Sequence, residues 1–241
     1  MEEKYSKFIG VGSEGVETLN SFKNKLEKNF SFEEINLNQD VDKEYVRALL
    51  DGIDVLVLSY NSEDKKVRDI IKAISFMANE RRVLCLGLDS SLKENKDDMG
   101  LDQEIKINKY NFDKIQDLLN IVVESIDEDV FLSIDLTDLR DIFNKESAIS
   151  YSYEEFDKDA QMDHIVKTIT EETYSTEGEA AKKKAILFYE FEKELIENEL
   201  LFINDINMKV SEILGETYDL LFSFNPVNDN NKKLKISLIT K

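Results

Sequence analysis

The sequence predicts two successive α/β parts: a larger N-terminal one built on a parallel sheet and a smaller C-terminal α+β one, with a long helix between them. Three observations carry this. Short apolar runs alternate with amphipathic helical stretches from Lys7 to Leu88; one helix signal with an unbroken apolar stripe begins at Asn111; and beyond it the order changes to strand, helix, strand, helix, strand, strand. Alternation of the first kind places helices over a parallel sheet, because consecutive parallel strands need a crossover between them.

The elements follow in order. Lys7 to Val11 is an apolar run of strand length, and Gly12 to Lys28 carries Val16, Leu19, Phe22 and Leu26 at helical spacing. Ser31 to Leu37 is a second strand, Asp42 to Leu50 a helix, Val55 to Leu58 a third strand, and Lys65 to Asn79 a helix. Val83 to Leu88 is again apolar; Ser90 to Asp102 is polar and reads as a loop; Glu104 to Ile107 is a short strand. This half is Rossmann-like. From Asn111 to Ile126, the residues Ile115, Leu118, Leu119, Val122, Val123 and Ile126 form a wide apolar stripe, the mark of a helix lying along something large.

In the second half, Ser147 to Glu154 and Ala185 to Glu192 read as strands, and Asp157 to Glu172 and Leu200 to Leu214 as helices. Tyr218 to Phe224 and Leu234 to Thr240 read as a closing antiparallel hairpin around the polar stretch Asn225 to Lys233, which holds the only proline, Pro226. Expected domains are therefore residues 1–110, a central helix 111–129, and residues 130–241.

Composition excludes several function classes. A formal net charge of -20 repels phosphate backbones and anionic lipid, so neither nucleic acid nor a membrane surface is an expected partner. A nucleotide is not excluded, because local backbone amides override a global field. The single cysteine, Cys85, sits in an apolar run and reads as core; the single histidine, His164, reads as a surface helix residue. Neither disulfides nor a metal site is expected, and the Asp and Glu runs read as solvated charge. The acidic N-terminus is unlike a signal peptide and no apolar run reaches the ~20 residues of a spanning helix, so the expected location is cytoplasmic.

Gly10-Val11-Gly12-Ser13-Glu14-Gly15 fits Gly-x-Gly-x-x-Gly between a strand and a helix. Glycines there let backbone amides approach a phosphate at a helix N-terminus; a tight strand-to-helix turn without ligand wants them too. Glu14 and Glu17 place carboxylates where an anion would sit, and Glu33 and Glu34 precede the apolar end of the second strand, where a dinucleotide site would want an acid after it.

Taken in order, these motifs resemble the FtsZ branch of the tubulin superfamily. Lys7 to Gly15 looks like that family's first strand and phosphate loop, Ala48 to Leu58 like the segment leading into its third strand, and the helix from Asn111 like its central helix. The most specific match is Leu132-Ser133-Ile134-Asp135-Leu136-Thr137-Asp138-Leu139, which resembles the family's synergy loop; Asp135 and Asp138 fall on its two acidic positions. Leu200 to Asn207 and Leu234 to Thr240 resemble its last helix and last strand. The resemblance implies a tubulin/FtsZ-like fold and a cytoskeletal role in which carboxylates of one subunit act on nucleotide held by the next. Asp135 and Asp138 would then be catalytic in trans on a neighbouring subunit; Gly10, Gly12, Gly15 and Asp113, the last aligned with the family's guanine-reading acid, would be the remains of a nucleotide site.

The departures redirect this expectation. Where the family has a second glycine-rich phosphate loop, this chain has Asn61-Ser62-Glu63-Asp64-Lys65-Lys66, without glycine and with two carboxylates. Asn38 to Lys43 leaves no room for the γ-phosphate loop, and Glu17 replaces an asparagine. The family's flexible tail is not seen after Lys241, so direct tethering to membrane machinery is not expected. The reading is therefore a non-catalytic FtsZ-like protein of filament assembly or regulation in cell division or the cytoskeleton. It needs no cofactor, and it self-associates or acts on an FtsZ-type filament. Two alternatives stay open: an atypical polymerising GTPase that binds GTP or GDP with magnesium, and an unrelated Rossmann-type ligand-binding module.

Overall fold

The computed structural model describes residues 5–26, 29–93, 95, 97–126, 132–145, 148–157, 159–171, 183–192, 196–227 and 233–241. Two units emerge, Met1–Val123 with Asn144–Glu146, and Glu124–Phe143 with Ser147–Lys241.

In the first unit the strands are β1 (Ser6–Val11), β2 (Ser31–Ile35), β3 (Val55–Tyr60), β4 (Leu84–Asp89) and β5 (Gln103–Lys106). They form one sheet in the order β2-β1-β3-β4-β5, every pairing parallel. Helices α1 (Gly12–Leu26), α2 (Lys43–Leu49) and α3 (Lys65–Glu80) make the crossovers. β3 and β4 are buried along their whole length, as expected of strands covered on both faces. Alternation on β1 sorts the two layers. Phe8 meets Phe22 of α1 at 5.7 Å between ring centroids, whereas Ile9 and Val11 join the core formed with Val46 of α2 and Val67, Ile71 and Ile74 of α3. Cys85 is fully buried in that same core.

Helix α4 (Phe112–Glu124) buries Ile115, Leu118, Leu119 and Val122. It is shorter than the predicted Asn111 to Ile126; just beyond it the Ser125 carbonyl accepts the N–H of Ile134 at 2.7 Å. Its start is fixed on α1, where Phe112 stacks on Phe22 with centroids 4.0 Å apart.

The second unit contains α5 (Leu136–Ile142), β6 (Ser150–Asp157), α6 (Met162–Thr170), β7 (Lys183–Glu192), α7 (Ile196–Leu214), β8 (Tyr218–Val227) and β9 (Lys233–Thr240). The sheet order is β6-β9-β7-β8, with β7 and β8 parallel and β9 antiparallel to both β6 and β7. One side carries α6 and α7, whose Ile165, Val166, Ile169, Ile203, Ile206 and Val210 meet Leu187, Tyr189 and Leu238 of the sheet.

The expected closing hairpin is not formed. β8 pairs with β7 at the edge, and β9 inserts between β6 and β7. The reason lies in burial: β9 is buried from Ile236 to Thr240 and takes a central place, whereas β8 is largely half-exposed. Pro226 belongs to β8 rather than to a loop and stands opposite Phe191. An edge strand tolerates proline, since one flank of its ladder needs no N–H. The Phe224 N–H, two residues earlier, points away from β7 to the Leu132 carbonyl, so the missing N–H of Pro226 falls on that same outer flank. Lys28, Ser147, Glu172 and residues 228–232, on which predicted element ends and part of the hairpin loop fell, lie outside the described residues.

Candidate functional site

In a sheet of order 2-1-3-4-5 the connections leave β1 and β3 in opposite directions, and the crevice beyond their carboxyl ends is where such folds hold ligands. Its walls are the start of α1 and the stretch Asn61 to Asp64. Gly10, Gly12 and Gly15 all stand at this place, and each has a structural duty there. Gly12 turns the chain into α1 with φ of +73°. A Cβ on Gly10 would lie 2.8 Å from the Gly15 carbonyl oxygen, and one on Gly15 would lie 2.2 Å from the Ser59 carbonyl oxygen. The glycines thus seat α1 directly on the backbone of β1 and β3.

Polar side chains link the walls of the crevice. The Asn61 amide donates to the Glu14 carboxylate, bridging the two walls. The Asn61 side-chain oxygen accepts the Glu63 N–H at 2.8 Å. Asp64 caps α3, its carboxylate accepting the Lys66 N–H at 2.7 Å. Helix N-terminal amides are the groups that would bind phosphate; at α3 a carboxylate of the chain itself already holds them. Arg68 donates to the Ser62 carbonyl at 2.5 Å, and Lys93 pairs with Glu63 at 3.0 Å.

Beneath this turn lies a polar network that the sequence analysis did not anticipate. Asp89, at the end of β4, is fully buried. Its carboxylate accepts the N–H and hydroxyl of Ser62 at 3.0 and 2.7 Å, the N–H and hydroxyl of Ser91 at 3.0 and 2.8 Å, and the Lys106 ammonium. Burial alone would raise its pKa; the Lys106 and Ser62 hydrogen bonds outweigh that and hold it below the usual carboxylate value. Beside it the Tyr60 hydroxyl donates to Glu104 at 2.5 Å. Burial pushes the Glu104 carboxyl up, against the Tyr60 hydrogen bond, and burial with the Glu104 charge pushes the Tyr60 phenol up. The available signal was an acid and a serine pair, Asp89-Ser90-Ser91, closing an otherwise apolar strand.

At the α1 wall of the crevice a cleft of about 380 Å³ stays open, lined by Glu14, Glu17, Thr18 and Ser21 of α1, by Ser90, and by Ile107, Asn108, Lys109 and Phe112. Asp113 stands in the first turn of α4, exposed, and pairs with Lys25 at 3.1 Å. It is therefore held at the far end of α1 from Gly12.

Asp135 and Asp138 belong to the second unit. Asp135 is the N-cap of α5 and accepts the Thr137 N–H at 2.6 Å; that backbone hydrogen bond lowers its pKa. Asp138, one turn on, lies 3.6 Å from the Lys184 ammonium, which also pairs with Asp141 at 2.7 Å. The described residues contain no cluster of His, Cys, Asp and Glu fit to hold a metal ion, and no helix long and apolar enough to cross a membrane.

Comparison with known proteins separates sequence from shape. No protein-family model and no curated protein matches the chain. Among solved structures, an empty FtsZ dimer from M. jannaschii superposes with a TM-score of 0.64 at 10% identity, covering 99% of this chain and 88% of that one. The chain has an FtsZ/tubulin-like fold. A point mutant of the same FtsZ gives 0.63 at 10% identity, covering 98% and 90% of the two chains, and CetZ from Methanosaeta thermophila gives 0.63 at 10%, covering 99% and 86%. Identity this low establishes the fold alone. The FtsZ-like fold nevertheless spans the chain from end to end, in accord with the order of motifs read from the sequence.

Proposed function

We propose that this chain is a non-catalytic member of the FtsZ-like cytoskeletal proteins, acting in filament assembly or its regulation without a bound GTP. On this reading residues 1–110 are a degenerate nucleotide-binding domain, 111–129 a central helix and 130–241 the C-terminal domain. The observation that carries the reading is the acidic, bridged mouth of the crevice: Glu14 and Asn61 join its walls, and Asp64 holds the α3 amides. Phosphoryl transfer in such sites is positioning and electrostatics. Here three carboxylates, Glu14, Glu63 and Asp64, stand where the negative charge of a triphosphate would have to settle. Self-association is favoured by the fold's company, since one similar structure is an FtsZ dimer.

Two measurements test this. Isothermal titration of the purified protein with GTP and magnesium is expected to show no binding, and tight magnesium-dependent binding overturns the reading. Co-sedimentation with an FtsZ filament is expected to change filament mass or turnover. Asp135 and Asp138 would face the partner's nucleotide in that contact, with no hydrolysis on this chain's own side.

The second reading, a nucleotide-binding protein of this fold, is favoured by the cleft beside Phe112. Its ≈ 380 Å³ lies in the range of small-ligand sites, and an aromatic ring and three hydroxyls line it. Guanosine without phosphates, titrated in parallel, distinguishes a retained base pocket from none.

A further inference from the structure

Helix α7 is apolar on two sides. Ile203, Ile206 and Val210 are buried against the sheet. At 100° per residue, Leu201 and Met208 fall on the opposite line of the helix, pointing straight outward. They are 76% and 57% exposed. Of the ten large apolar side chains exposed among the described residues, four belong to α7: Leu200, Leu201, Met208 and Ile213. Isolated apolar side chains on a surface need no explanation; Leu201 and Met208, two turns apart on one line and flanked by Leu200 and Ile213, do. The Asn204 amide approaches the Met208 sulfur at 3.7 Å, holding the thioether along the outer line.

A groove of about 620 Å³ runs beside this line between α6 and α7, with Met162 and Met208 in its walls. Asp205 and Glu212 also line it, one turn before and after Met208, and neither has an ion-pair partner among the described residues. Lys209 is already committed to Asp163. The surface therefore reads, along α7, as apolar, acidic, apolar, acidic: Leu201, Asp205, Met208, Glu212.

We propose that this surface docks an amphipathic helix of a partner protein that carries leucine-type side chains with Lys or Arg one turn away. Charge selects that occupant. A second copy of this chain, seated two-fold symmetrically, would set Asp205 and Glu212 against their own equivalents, whereas a basic helix supplies their missing partners. Methionine in the groove suits such a contact, because its unbranched thioether follows irregular apolar surfaces. This inference is independent of the crevice in the first unit and stands whether or not nucleotide binds there.

The test uses the full chain and a fluorescein-labelled helical peptide of leucine and lysine, read by fluorescence anisotropy. Any acidic protein attracts such a peptide, so the comparison is between charge reversals of equal size. Asp205→Lys with Glu212→Lys is expected to weaken binding about tenfold, and Asp69→Lys with Glu80→Lys, exposed acids on α3, less than about twofold. Leu201→Ala with Met208→Ala is expected to weaken it about tenfold. Hydrogen exchange on the unmodified protein supplies a readout free of folding effects: the peptide is expected to protect residues 200–213. Equal loss from both charge reversals, no protection of α7, or a dimer of the unmodified chain that Leu201→Ala with Met208→Ala dissociates would each overturn the proposal.

Discussion

Gly15 and Ser59 are locked together: the Ser59 side-chain hydroxyl donates to the Gly15 carbonyl at 2.7 Å, and the Ser59 carbonyl oxygen stands 2.2 Å from where a Gly15 Cβ would be. The Ser59 carbonyl oxygen belongs to the backbone of β3, so it cannot swing aside. Gly15→Ala must push α1 off β3 and disturb the core behind Leu19 and Phe22. An overpacking cost of about 3 kcal/mol is expected. Gly52, with φ of +67° and open space around it, gives the contrast. Gly52→Ala carries only backbone strain, about 1 kcal/mol. Urea denaturation of the two variants should rank them in that order; equal costs would show that α1 does not rest on the Ser59 peptide.

The buried carboxylate of Asp89 makes a second prediction. Asp89→Ala removes the acceptor shared by Ser62, Ser91 and Lys106; Lys106 is 41% exposed and keeps the Lys93 carbonyl, so the loss is chiefly that of the buried serine hydrogen bonds, about 1–3 kcal/mol. The pH dependence has a definite sign. The Asp89 pKa is lowered from 3.8, so its contribution is complete above that value and is lost as pH falls through the lower, folded-state pKa. Glu104 has the opposite sign. Its pKa is raised from 4.5, so the fold prefers it protonated, and stability declines as pH rises from 4.5 through the raised value. Glu104→Gln should remove that decline, leaving a flatter thermal-midpoint curve between pH 4.5 and neutrality. If the curves of the two proteins run parallel there, Glu104 does not titrate as its burial requires.

Much of the first unit was legible in the sequence because its signals are local. The central strands β3 and β4 are apolar runs buried on both faces, the helices carry stripes of period 3.6, and Asp42 and Asp64 stand at two helix starts by their capping chemistry. The second sheet was not legible in the same way. Adjacent strands with a short polar link favour a hairpin locally, yet β9 is the more deeply buried strand and lies inside the sheet, with β8 at the edge, although β8 carries the larger share of apolar residues. Strand order depends on which faces are buried together, information that no single segment contains. The site shows the same division. Glycines at 10, 12 and 15 mark tight packing but not what packs: at Gly15 it is the Ser59 peptide of β3, at Gly10 the backbone of Gly15 and Val16, and at Gly12 the side chain of Val67. The Asp89–Lys106 pair joins residues 17 apart in sequence across the β4–β5 pairing, and only the sheet register brings them together.

Asp64 links stability to ligand chemistry. Asp64→Ala removes a helix cap and should cost about 1 kcal/mol in urea denaturation. It also frees the Lys66 amide at the α3 N-terminus. GTP affinity is nevertheless not expected to appear, because Glu14 and Asn61 still bridge the walls and α1 still sits on Ser59. Titration of this variant with GTP and magnesium checks it. Binding gained by this single change would mean that one carboxylate, and not the closure of the whole crevice, keeps the nucleotide out.

Asp135 and Asp138 can be told apart by the work each does within its own unit. Asp135 caps α5, and Leu139 and Ile142 of that helix are buried. Asp135→Ala should therefore cost about 1 kcal/mol. Asp138 is partly exposed and shares Lys184 with Asp141, the nearer of the two acids, so Asp138→Ala should change stability by less than about 0.5 kcal/mol. A loop whose acids act on a neighbouring subunit's nucleotide would lose that action with either substitution, whatever the stability. The informative variant is thus Asp138→Ala, which leaves the cap and the helix in place. Under the proposed role it should abolish the effect of the protein on the GTPase rate of an FtsZ filament while its thermal midpoint stays unchanged. Asp138→Asn, which keeps the shape and removes the charge, should behave in the same way. Should both variants act on the filament as the unmodified chain does, the acids serve α5 and Lys184 alone, and the contact with a filament must be sought on another face.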